Sequence, residues 1–272
     1  MAIKKPEVKK KSTAIVRWED KFASASKAAR EQVKNIGGGV GVKFGRGSIT
    51  VGGNTVPGGK LVCVILGSCA MNAWYEADYD PSDAQPPDCY AFAKSVGDPE
   101  MAPTDDVHNK QADQCEGCPK NEFGSAKTGR GKACGNNIRL ALITEKDAED
   151  SDNIGTAELA TAKISPTNLK HYAGYVKMLD DEHGRPPWAV VTEISSYDDP
   201  VTQIRLEFKM VEVIEADDIL TALEKRVDSV EEDLMKPFPP PTERAVKKPA
   251  AGGVGRGGKF AGKAAAPAKG RR

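Results

Sequence analysis

Between Asp98 and Lys132 the chain carries almost no residue able to build a core, and a stretch of that length needs a cross-link to hold one shape. Four cysteines are placed to supply it. Cys115-Glu116-Gly117-Cys118 has the spacing with which a tight turn presents two thiolates to one ion, and Pro119 follows it. Cys89 stands upstream at the foot of a short strand, and Cys134 downstream at the head of another. Four thiolates in a tetrahedron suit Zn²⁺, so Cys89, Cys115, Cys118 and Cys134 are read as a structural metal site with Zn²⁺ as the cofactor. An iron–sulfur cluster accepts the same donors, and His108, shortly before Cys115, is an alternative ligand. The plain alternative is four buried thiols or a redox pair. Cys63 and Cys69 fall inside an apolar run and are assigned to the core.

Disulfides are the other reading of six cysteines, and it requires an oxidising compartment. Met1 to Ser12 is lysine-rich with no apolar segment behind it, which predicts a cytoplasmic protein. No apolar run approaches the ~20 residues of a membrane-spanning helix, so a membrane partner is not expected.

A formal net charge of zero hides an asymmetry. From Lys236 onward ten basic residues face Glu243 alone, a net of +9 that leaves −9 for the remainder. A basic tail beside an acidic body points to a polyanionic partner, or to acidic surfaces on neighbouring copies, with a mere solubility tail as the plain alternative.

The chain divides into a basic arm (1–12), a folded body (13–235) and a tail (236–272). The Ala/Gly/Lys/Pro composition of the tail cannot build a core and predicts disorder. Within the body, Trp18 to Ile36 reads as a helix, Val42 to Phe44 and Ser48 to Val51 as a hairpin, and Lys60 to Tyr79 as a long strand. Further strands are expected at Cys89 to Phe92, Asn137 to Thr144, Ala157 to Ile164, Trp188 to Ile194 and Gln203 to Ile214. Ser165-Pro166-Thr167 opens a helix that stops near His183, and a second helix runs from Asp217 to about Leu234. Trp188 and Phe208, in apolar strands, are assigned to the core. The order is mainly β with flanking helices (α+β) and suits an OB-like β-barrel elaborated by a metal-stapled loop at about 89–134.

From Lys120 to Arg139 five basic residues (Lys120, Lys127, Arg130, Lys132 and Arg139) stand against Glu122 alone, in an otherwise acidic body. Gly124, Gly129 and Gly131 let this backbone approach a phosphate closely. The spacing is not that of a nucleotide-hydrolysing loop. Around it gather Trp74, Tyr75, Tyr79, Tyr90, Phe92 and Phe123, the residue type on which unpaired bases stack; alternation predicts that about half face the core.

Ala73-Trp74-Tyr75, Cys89-Tyr90-Ala91-Phe92, and Cys115 to Pro119 followed by Gly129-Arg130-Gly131-Lys132-Ala133-Cys134 occur in an order that resembles the single-stranded-DNA-binding proteins of tailed phages. Ser165-Pro166-Thr167 and the segment from Trp188 to Ile194 add to the likeness, which covers roughly residues 13 to 235. The resemblance implies an oligonucleotide-binding barrel with a zinc subdomain, acting on single-stranded DNA in replication or recombination in the host-cell cytoplasm. It also implies replication or recombination proteins as partners and self-association along DNA. Many proteins of this family end in an acidic tail that recruits partners; this chain ends in a basic one.

No enzyme is expected. The three histidines, His108, His171 and His183, are scattered, there is no paired acidic motif, and a four-cysteine site leaves no open coordination position. The alternative function is a zinc-stapled structural or interaction protein, virion-associated, without a nucleic-acid-coating role. A zinc-containing transcription factor would need a recognition helix flanked by metal ligands, which the sequence lacks.

Overall fold

The computed structural model describes residues 40–78 and 85–238. The basic arm, the helix expected at 18–36, Tyr79 and residues 239–272 of the tail lie outside the described residues.

Among the described residues nine strands form one mixed sheet: β1 (Val40–Gly45), β2 (Ser48–Val51), β3 (Asn54–Thr55), β4 (Lys60–Trp74), β5 (Cys89–Ala93), β6 (Gly135–Thr144), β7 (Ala160–Ile164), β8 (Val190–Asp199) and β9 (Gln203–Val213). Their order is β3-β2-β1-β7-β6-β4-β8-β9, with β5 also paired to β4. β4 is the spine. One edge pairs with β6 along most of its length, and the other takes β8 near its start and β5 near its end.

The run Leu61 to Leu66 is apolar throughout because β4 is covered on both faces. Leu61, Cys63 and Ile65 face one core with Leu140, Leu142 and helix α1 (Leu169–Met178); Val64 and Leu66 face a second core with Ala141, Ile143 and helix α2 (Asp217–Leu234). Ile65, Leu66, Leu140, Leu142 and Ile143 are fully buried, each contributing roughly 1.5–3 kcal/mol of transfer free energy. This helix–sheet–helix sandwich anchors the fold. At the bulge between Ile65 and Gly67 a Cβ on Gly67 would stand 3.4 Å from Val230 and Leu234, so glycine lets the end of α2 lie close to β4. Cys63, Cys69 and Phe208 join these cores, as does Trp188 at their margin.

The mainly-β reading with flanking helices matches the fold. Closure differs from the expectation, because the sheet is an open series ending in β3 and β9. It is nevertheless strongly rolled. Ser196 Oγ donates to the Gly45 carbonyl at 2.5 Å, and Arg46 Nε lies 3.7 Å from Asp198 Oδ1, which brings the β1–β2 turn to β8 without a ladder between them among the described residues. The strand expected to reach Tyr79 ends at Trp74, where the Glu76 N–H turns to donate to Asp88 Oδ2 at 2.7 Å.

Candidate metal centre and nucleic-acid interface

Strand register brings the outer cysteines to one place. Trp74 lies opposite Cys89 on β5, and Ala73 lies opposite Gly135 on β6, the residue after Cys134. The inner pair comes from the loop. The Cys115 N–H donates to the Met101 carbonyl at 2.9 Å, and buried Met101 packs on Ala70, Ala91 and Ala93. Gly117 takes φ +71°, the left-handed turn that a side chain resists, and so returns Cys118 toward Cys115. Asn121 clamps both: its N–H donates to the Cys118 carbonyl at 2.8 Å and its Nδ2 to the Cys115 carbonyl at 2.9 Å. The Cys134 N–H donates to the Lys120 carbonyl at 2.8 Å and closes the loop.

All four cysteines line one cavity of about 20 Å³, together with Asn72, Trp74 and Asn121. That is space for one small ion or water and not for an organic molecule. Burial pushes the Cys89, Cys115 and Cys134 thiols up, Cys134 to about 12, and the neighbouring cysteines push each higher still. N–H groups oppose this: the backbone of Gln111 toward Cys89, the Asn72 side chain toward Cys115 and the backbone of Ala73 toward Cys134. Such donors, with a cation, are what a cluster of thiolates requires. Among the described residues no three His, Cys, Asp or Glu side chains converge into a ready-made coordination cage. His108 is exposed and does not line the cavity.

Sequence gave little sign of the amide network below the cysteines. Asn136 Nδ2 donates to Asn72 Oδ1 at 2.6 Å and to Asn121 Oδ1 at 3.0 Å, joining β6, β4 and the loop. Its one signal is Asn136-Asn137 at the head of a mostly apolar strand.

The aromatic candidates separate sharply. Trp74 is 8% exposed and lies beneath the Lys120 ammonium, 4.9 Å from its ring; Tyr90 is 5% exposed. Tyr90 meets Phe238 edge-on at 4.9 Å, Phe92 stacks on Phe238 at 6.0 Å, and the Arg139 guanidinium lies 5.6 and 5.4 Å from the Phe92 and Phe238 rings. Arg139 also donates to the Leu234 carbonyl at 3.0 Å, satisfying the end of α2. Trp74, Tyr90, Phe92 and Arg139, expected at a binding surface, are therefore packing residues in this structure. Phe238 falls in the segment whose composition predicts a disordered tail, yet it is half-buried against Tyr90 and Phe92.

Of the aromatic candidates within the described residues, Tyr75 and Phe123 face solvent. Tyr75 is 40% exposed, and Phe123 is 81% exposed at the tip of the loop, with Lys132 Nζ 5.0 Å from its ring. Ser125 holds that loop, Oγ donating to the Glu122 carbonyl at 2.6 Å and accepting the Ala133 N–H at 2.9 Å. Lys127 donates to the Glu76 carbonyl and to Asp78 Oδ1, each at 3.0 Å, while Arg130 is exposed. Comparison with protein-family models, with curated proteins and with solved structures gives no match for this chain.

Proposed function

We propose that the protein binds single-stranded DNA without reading its sequence, through a basic loop stapled by Zn²⁺ on Cys89, Cys115, Cys118 and Cys134. The observation that carries this reading is Phe123: a phenyl ring 81% exposed, held out on a hydrogen-bonded loop rooted between Cys118 and Cys134, with an ammonium 5.0 Å from it. A ring offered to solvent beside a cation suits base stacking with a phosphate alongside. The donor chemistry suits zinc, since four thiols border space for one ion and N–H groups aim at three of them. The rolled sheet supports kinship in shape with oligonucleotide-binding barrels. The resemblance to phage proteins adds a role in replication or recombination, self-association along DNA and a cytoplasmic setting, with binding rather than catalysis as the activity.

Titration of labelled single-stranded and duplex oligonucleotides at about 50 and 200 mM salt tests it. Preference for the single strand, weakened by Phe123→Ala, is the expected result; equal or absent binding overturns it. The burial of Trp74 and Tyr90 favours the second reading, a zinc-stapled structural or interaction protein, and that reading gains if neither oligonucleotide binds.

A further inference from the structure

Tyr75 and Trp74 are neighbours in sequence and part company in space. Trp74 lines the cysteine cavity, whereas the Tyr75 ring is 40% exposed. The backbone around Tyr75 is fixed on both sides. Asp88 donates its N–H to the Trp74 carbonyl at 3.0 Å and accepts the Glu76 N–H on its carboxylate at 2.7 Å. The backbone that carries the ring is therefore held in place.

Two ammonium groups reach this position from distant parts of the chain. Lys163, exposed on β7, places Nζ 5.7 Å from the centre of the Tyr75 ring. Lys127 donates to the carbonyl of Glu76, the next residue. That contact also ties the loop bearing Phe123 to the segment bearing Tyr75.

Lys163 further stands directly opposite Arg139 in the β6–β7 ladder. Like charges at facing ladder positions disfavour the sheet. Neither cation has an ion-pair partner among the described residues, and Arg139 is answered by the Leu234 and Lys236 carbonyls and by the Phe92 and Phe238 rings. An anion bound at Lys163 would relieve that repulsion. The nearest ring able to hold what such an anion is attached to is Tyr75.

We infer that Tyr75 and Lys163 form a second subsite for single-stranded nucleic acid, Tyr75 stacking on a base and Lys163 neutralising the adjoining phosphate. This rests on the proposed single-strand binding and adds to it a route from Phe123 past Lys127 to Tyr75 and β7. Lys163 lies outside the basic cluster of Lys120 to Arg139, and only the sheet brings it there.

The test uses the full-length protein and an oligothymidylate, one form plain and one carrying 5-iodouracil for photo-cross-linking. Tyr75→Ala lowers affinity by roughly fivefold to a hundredfold with an unchanged salt slope, the signature of a lost stack. Lys163→Met makes the slope of log affinity against log salt shallower by about 0.7, the share of one phosphate on a single strand, and Lys163→Arg restores it. Cross-linking of the parent protein, which needs no substitution, labels Tyr75 as well as Phe123. If the parent binds and cross-links only elsewhere, with Lys163→Met keeping the parent slope and melting temperature, this inference falls while single-strand binding stands. If the parent binds no oligothymidylate, both fall together.

Discussion

Asn168 Oδ1 accepts the backbone N–H of Leu206 at 2.8 Å, while its Nδ2 donates to the Ile204 carbonyl at 3.0 Å, so one buried side chain pairs with β9 as a neighbouring strand would. β9 ends the sheet, and an unpaired edge with apolar residues invites pairing with another chain. Asn168→Ala leaves both backbone groups without a partner and should cost about 1–3 kcal/mol for each that stays dry. Asn168→Asp should be no better, since a carboxylate sets an acceptor against the Ile204 carbonyl. Urea midpoints measure this, and a midpoint equal to the parent's for Asn168→Ala would show that water replaces the amide freely.

Tyr175 Oη and Thr192 Oγ1 are 2.7 Å apart and both residues are buried. Tyr175→Phe or Thr192→Val alone strands the remaining hydroxyl, a loss of about 1–3 kcal/mol. The double variant should recover most of it, because a matched apolar pair has no unmet hydrogen bond. Additive losses in the double-mutant cycle count against this account.

Full-length protein purified without chelator should carry one zinc per chain by elemental analysis. Cys118→Ser and prolonged chelation should both lower the melting temperature and make the remaining thiols of the cavity reactive. A visible absorption band lost on reduction would instead identify an iron–sulfur cluster. A metal-free protein with the parent melting temperature excludes a structural ion.

The tail has a boundary that packing defines. Removing residues 239–272 should weaken binding to single strands most at low salt and leave the melting temperature unchanged. Removing residues from Pro237 onward also takes away Phe238, whose ring covers Phe92 and whose N–H donates to Tyr90 Oη at 3.2 Å. That second truncation should cost about 1–1.5 kcal/mol of stability, roughly half of what full burial of a phenyl ring contributes, because Phe238 is half-buried. Equal stability of the two truncations would place Phe238 outside the core.

On the exposed loop, charge and stacking should leave different traces. Phe123→Ala should cost about 1–3 kcal/mol of single-strand affinity with little salt dependence. Lys132→Gln should make the salt slope shallower. Lys127→Gln should do so less, because Lys127 is already paired with Asp78. Parent-like binding by all three, with folding intact, removes this loop from the interface.

Local pattern was enough for the elements. Alternation marks β9, a two-sided apolar run marks β4, and Ile219, Leu220, Leu223, Val227 and Val230 along one stripe mark α2 from Asp217 to Leu234, since each signal arises within a few residues of chain. The cysteine spacing likewise singled out Cys89, Cys115, Cys118 and Cys134, and the structure sets them around one cavity. Which aromatics face solvent was not legible locally, because burial depends on what arrives from elsewhere. Phe238 comes back over Tyr90 and Phe92, Arg139 spends its donors on the end of α2, and Trp74 is roofed by the loop. Lys163 meets Tyr75 only after β6 and β7 have paired. An open rolled sheet in place of a closed barrel has the same origin: periodicity states which face of a strand is apolar, and long-range register states which strand lies beside it.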